Sequence, residues 1–151
     1  MKAASPQLNH EAICRLLPHA GAMCLLEAVV EWDEQAIRCR AISHRAPDNP
    51  LRNTTGLPAL SALEYGAQAM AVHGALLADA GPPRAGFLAA VRNLRVHRTE
   101  LDDLNADLDI TARSVMSDRN SSIYDLEVSA EGEPVLSARA TVILQTEDDP
   151  T

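Results

Sequence analysis

The sequence predicts an α+β fold in which an antiparallel sheet wraps one long helix. Two observations carry this. The stretch GLPALSALEYGAQAMAVHGALLADAG (56–81) reads as a helix that is apolar on almost every side, and such a helix needs more cover than the one stripe a flat sheet provides. Two short apolar segments precede it, and four segments suited to strands follow it.

In chain order, HEAICRLL (10–17) reads as a short helix with Asn9 as N-cap and Pro18 as its stop. AMCLLEAVVEW (22–32) and AIRCRAIS (36–43), parted by the polar turn Asp33-Glu34-Gln35, read as a hairpin. A loop containing Pro47, Asp48, Asn49 and Pro50 leads to Gly56 and to the long helix, whose core spans 57–80 and which stops at Gly81-Pro82-Pro83. GFLAAVRNLRVHR (86–98), ADLDITARSVMSD (106–118), SSIYDLEVSAEG (121–132) and PVLSARATVILQTE (134–147) follow. The last three alternate in stretches, as in Leu108, Ile110, Ala112, and are parted by Asp118-Arg119-Asn120 and Glu131-Gly132-Glu133, a meander pattern. The whole chain, 1–151, is expected to form one domain with residues 147–151 frayed.

With 151 residues, 46% apolar and 23% charged, the chain can build a sizeable core. A net charge of −8, with arginines diluted by acids, excludes nucleic acid as the expected partner. The same charge opposes an acidic protein such as an acyl carrier, unless the arginines gather at one entrance. Cys14, Cys24 and Cys39 are odd in number and show no C-x-x-C spacing, and MKAASPQLNHEA holds no apolar signal core. They are expected to be unpaired, metal-free thiols of a cytoplasmic protein. No run approaches the roughly 20 apolar residues of a membrane span, and no phosphate-binding glycine loop or nucleophilic triad order is present.

Two strands, one enclosed helix and then about four strands is the layout of the hot-dog fold. Within it, LPHAGAMCLLEAV (17–29) resembles the opening segment of the hot-dog beta-hydroxyacyl-acyl-carrier-protein dehydratases. LPALSALEYGAQ (57–68) resembles the start of their helix, with Pro58, Glu64, Ala67 and Gln68 in register and Ala59 replacing a glycine. The nearest likeness is to divergent members found beside pigment and polyketide-type lipid pathways. The family's catalytic histidine is expected fourteen residues before the glutamate, where this chain has Pro50. The nearest upstream histidine is His44, six positions too early.

The resemblance implies dehydration of a 3-hydroxyacyl thioester, which needs a base for the α-proton, an acid for the departing hydroxyl and donors for the thioester oxygen. Glu64 and His44 are the catalytic candidates. Gly56, Ala59 and Leu60, at the helix start, and Gln68 are the substrate-binding ones; the amides there are supplied by geometry rather than side chain. Leu60, Glu64, Ala67, Gln68 and Ala71 share one helical stripe. The plainer reading pairs Glu64 with Arg38, Arg40 or Arg45 from the sheet. His19 is expected to be structural, His73 a packed or solvent-edge residue on the face opposite Glu64, His97 exposed and His10 a helix-start residue.

Neither cofactor nor metal is expected. The substrate is expected on acyl carrier protein or coenzyme A, and the protein as a homodimer, with a higher oligomer or a heteromer with another dehydratase as variants. The alternatives are a thioesterase of the same fold, in which the carboxylate activates water, and a non-catalytic acyl-binding subunit of an active dehydratase.

Overall fold

A computed structural model describes residues 7–17, 23–78, 86–118 and 120–144. The chain opens with β1 (Leu8–Asn9) and α1 (His10–Leu16), followed by β2 (Ala28–Trp32) and β3 (Ala36–Ala41). A 3-10 turn (Ser43–Arg45) and a second one (Ala59–Ser61) lead into α2 (Ala62–Leu77). β4 (Gly86–Val96), β5 (Leu108–Ser117), β6 (Ser121–Ala130) and β7 (Glu133–Leu144) complete the elements of the described residues.

α1 begins where expected. Asn9 accepts a hydrogen bond from the Ala12 N–H at 2.9 Å, Glu11 sits in the first turn and Arg15 in the last, each complementing the helix dipole. The seven strands form one antiparallel sheet in the order β1-β2-β3-β5-β6-β7-β4. This is the hot-dog architecture.

Two details differ from the sequence reading. β1 was not foreseen, because a two-residue strand carries no periodicity. Residues 24–27 are not strand, although their apolar run suggested it; they are held by a side chain of α2 instead.

Alternation along the strands puts Val29, Ile37, Cys39, Ile110, Leu126, Val128 and Ala140 on the inner face, all buried. α2 packs on that sheet and buries Ala62, Tyr65, Ala69, Met70 and Val72. Contact is close at Gly66, where a Cβ would lie 2.9 Å from Leu126 Cδ1. Glycine therefore lets α2 sit low on β6. Each fully buried large apolar side chain contributes about 1.5–3 kcal/mol, so this helix–sheet layer is the main source of stability.

Candidate functional site

α2 is apolar all round, yet the sheet does not cover all of it. Leu60 just before the helix is 52% exposed; Glu64 and Ala67 are half-buried, and Ala71, Gly74 and Leu77 are exposed. These positions follow the three- and four-residue spacing of one helical stripe. A Cβ at Gly74 would meet nothing within 4 Å. Between Leu60 and Leu77 the stripe is an open surface of small residues, Ala67, Ala71 and Gly74, with one carboxylate near its start.

That carboxylate has no ion pair or hydrogen bond among the described residues. The three arginines that offered the plainer explanation are engaged elsewhere. Arg38 reaches Glu31 at 3.7 Å and Asp109 at 3.4 Å, Arg40 reaches Asp107 at 3.1 Å, and Arg45 reaches Asp107 at 2.7 Å. Arg45 first, together with Arg40, holds Asp107 below the usual carboxylate range. Cross-strand acids on the sheet's outer surface outcompete a helix glutamate on the other side.

Gln68 shares the sequence stripe but not its exposure. It is buried, its Oε1 accepts from the Leu25 N–H at 2.9 Å, and its Nε2 donates to the Met23 carbonyl at 2.6 Å. The side chain clamps the irregular segment before β2 onto α2. Both ends of its amide are thus engaged by backbone groups.

At the helix start the Ala59 N–H donates to the Thr99 carbonyl at 2.9 Å, and the Ser61 N–H closes the 3-10 turn on Pro58 at 2.9 Å. The Leu60 N–H has no acceptor within the turn, as is usual for a helix's first donors. Ala59 is buried. Gly56 has φ +140°, a conformation suited to glycine, and a Cβ there would lie 2.6 Å from Glu100 Oε1. That carboxylate oxygen is buried without a hydrogen-bond partner, while Glu100 bridges to Pro58 through the backbone. Glu100 is a second acidic group beside the helix start that sequence reasoning missed. No local pattern marks it, since 42 residues separate it from Pro58, to which a β-bridge joins it in space.

His44 lies in the 3-10 turn after β3 and is fully buried. Its Nε2–H donates to the Leu104 carbonyl at 3.1 Å, which leaves Nδ1 as the bare nitrogen; that atom is buried without a partner. Burial, then the Arg45 charge, lowers its pKa against the opposing pull of the Leu104 and Ala106 carbonyls and Asp107. His44 is a neutral imidazole, and no hydrogen bond joins it to Glu64.

Its neighbours organise the loop. The Asn49 amide donates to the Ser43 carbonyl at 2.9 Å and to the Tyr65 hydroxyl at 3.1 Å, while its Oδ1 accepts from the Leu51 N–H at 2.8 Å. Ser43 Oγ donates to the Leu25 carbonyl, and the Tyr65 hydroxyl lies 2.8 Å from that Oγ. Arg52 binds the carbonyls of Ala46 and His44 and pairs with Asp102. Asn49, next to the Pro50 that stands at the family's histidine position, thus pins the loop to α2.

His73 is fully buried, its Nε2–H donating to the Asp33 carbonyl at 2.7 Å and its Nδ1 accepting from the Tyr124 hydroxyl at 2.6 Å. Burial lowers its pKa, with Asp33 opposing. His97 is exposed. His19 lies outside the described residues. Since His44 and His73 titrate below their ordinary value of 6.5 when folded, the unfolded chain binds more protons as pH falls through that value. Stability should therefore drop on acidification by up to about 1.4 kcal/mol per pH unit for each histidine. Urea midpoints between pH 7.5 and 5 check this; a flat profile would contradict neutral burial.

The cysteine expectation needs correction. Cys14 and Cys24 form a disulfide, with Cα atoms 5.7 Å apart, and only Cys39 is free. α1 and β1 fold back onto β2, bringing together residues ten apart, a contact that spacing alone does not reveal. With two of its three cysteines bonded, the chain's thiols no longer point to a reducing compartment. No helix among the described residues is long and apolar enough to cross a membrane.

The edge strand β4 gathers charge of the other sign. Arg92 and Arg95 are exposed and carry no ion pair among the described residues, and Arg92 lies directly opposite Arg139 on β7. Leu88, Leu94 and Val96 are exposed on the same strand.

Residues 11–150 match the family model described as ApeP-like, the ApeP dehydratase. No curated protein matches the chain. Among solved structures, the dehydratase heterocomplex ApeI:P from Xenorhabdus doucetiae aligns with a TM-score of 0.79 at 24% identity, covering 89% of this chain and 91% of that one. A thioesterase from Haemophilus influenzae aligns at 0.66 with 12% identity over 95% and 94% of the two chains. A mutant thioesterase from Staphylococcus aureus aligns at 0.60 with 13% identity over 78% and 92%. At these identities the structural likenesses establish the shared fold.

Proposed function

We propose, since the chain belongs to the ApeP-like dehydratase family, that it removes water from a 3-hydroxyacyl thioester carried on acyl carrier protein and leaves the enoyl thioester. The observation that carries this reading is the unpaired, half-buried Glu64 on the uncovered stripe of an otherwise buried helix. An acyl chain laid along Ala67, Ala71 and Gly74 meets only small residues, with its thioester end toward Leu60.

There the Leu60 N–H, reinforced by the helix dipole, stabilises the charge that develops on the thioester oxygen. As the C–H bond α to the carbonyl breaks, its electrons form the double bond and expel the hydroxyl, which leaves as water. Glu64, entering the step as the carboxylic acid, supplies the proton to that hydroxyl and is left as the carboxylate, to be reprotonated before the next turnover. His44, neutral with a bare Nδ1, is the complementary base, in a role that requires bound substrate to reach what is a sealed nitrogen in the free protein.

Arg92 and Arg95 support an acidic carrier, because they place uncompensated positive charge on one edge of a chain whose net charge is −8. The same edge, apolar and unpaired on one side, is a strand that needs a partner. The assembly proposed is an edge-to-edge dimer through β4, either of two copies or with another dehydratase, the second option being suggested by the similar Xenorhabdus structure's being a dehydratase heterocomplex. Sedimentation at micromolar concentration should give a dimer; a monomer, alone and with a dehydratase partner, counts against it.

The chemistry is tested by following enoyl absorbance and free thiol together on a short 3-hydroxyacyl thioester. Enoyl formation without thiol release supports dehydration. Thiol release without enoyl would make the protein a thioesterase of the same fold.

A further inference from the structure

We propose that His10, Cys14 and Cys24 form a binding site for a zinc-type cation, opened when the Cys14–Cys24 bond is reduced. The two sulfurs and one imidazole nitrogen already lie within 4.8 Å of one another. His10 and Cys14 stand one helical turn apart on α1, with Nε2 3.5 Å from Cys14 Sγ.

The imidazole is oriented as a ligand. Its Nδ1–H donates to the Leu26 carbonyl at 2.7 Å, so Nε2 carries the lone pair and points at the sulfurs. A backbone carbonyl fixing the far nitrogen is the usual second contact of a metal-bound histidine. Cys24 is held just as firmly, because Gln68 grips the Met23 carbonyl and the Leu25 N–H on either side of it. Both ligand positions are fixed by the fold, independently of the disulfide.

Reduction by a phosphine and water converts the disulfide to two thiols and the phosphine to its oxide. Freed, the sulfurs can part to about 3.8 Å, the edge of a tetrahedron with 2.3 Å metal–sulfur bonds. The cation then displaces two thiol protons. Two thiolates neutralise its charge, the imidazole adds a third, neutral ligand, and His10 on the exposed side leaves a fourth position open to water. Sulfur with imidazole favours a borderline-soft dication over magnesium or calcium. Cys39 takes no part: it is buried, and burial pushes its thiol up to about 12.

The test uses the full chain, reduced with a phosphine, desalted without oxygen and titrated with cobalt(II) as a spectroscopic stand-in for zinc. The expected result is a thiolate-to-cobalt charge-transfer band that saturates at one metal per chain and is bleached by one equivalent of zinc. The oxidised chain should show no band. Cys14→Ser and Cys24→Ser should each abolish it, His10→Ala should weaken binding about tenfold or more, and Cys39→Ser should leave it intact. The proposal is overturned if the reduced, folded chain gives no band, if the band survives Cys14→Ser, or if reduction abolishes the circular dichroism of the fold.

Discussion

Glu64→Gln is expected to lower enoyl formation by about 10²–10⁴-fold, the usual contribution of a positioned proton-transfer group. The substitution keeps shape and removes only the ionisable oxygen. Because Glu64 has no ion pair or hydrogen bond among the described residues, the melting temperature should move by no more than about 1–2 °C, the range of substitutions away from structural contacts. A loss of activity with stability unchanged is what separates a chemical group from a structural one. If the variant dehydrates as fast as the parent, Glu64 is a tolerated polar residue on an open surface. His44→Ala should also lose about 10²-fold or more, but it leaves the Leu104 carbonyl without its donor, so its stability must be measured beside its rate.

Gln68→Leu should do the opposite. It removes the acceptor for the Leu25 N–H and the donor to the Met23 carbonyl in one step, stranding two backbone groups against the core. At about 1–3 kcal/mol for each such group, the expected loss is about 2–6 kcal/mol. For a chain of this size that is a melting-temperature drop of about 5–15 °C. Urea unfolding should show a lower midpoint at constant slope. A variant that stays stable but loses turnover would instead place Gln68 against substrate, as the helix register alone suggested.

The contrast between these two neighbours on one stripe shows what the sequence could convey. Periodicity and turn residues were enough to order the elements, because strand alternation and the Gly56–Gly81 frame of the helix are local signals. The same logic put Glu64 and Gln68 on one side of the helix. It did not show that Gln68 bonds the chain before β2 while Glu64 makes no hydrogen bond or ion pair among the described residues, since that depends on where a non-repetitive segment lies. The disulfide escaped for the same reason, as did Glu100, whose approach to Gly56 arises from a bridge across 42 residues. Asn49 looked like a mere replacement in a motif; in space it ties Ser43, Leu51 and Tyr65 together. Local chemistry is readable in order along the chain, whereas the partners of buried polar groups are set by tertiary contacts.

The measurement that reaches the central claim most directly is the intact mass of a 3-hydroxyacyl carrier protein incubated with this chain, alone and with a dehydratase partner, beside Glu64→Gln. Dehydration predicts a carrier that keeps its acyl chain and loses one water, at a rate that falls at least about 10²-fold in the variant. A carrier that loses the whole acyl chain, or one whose loss of water is the same with Glu64 and with glutamine, would contradict it.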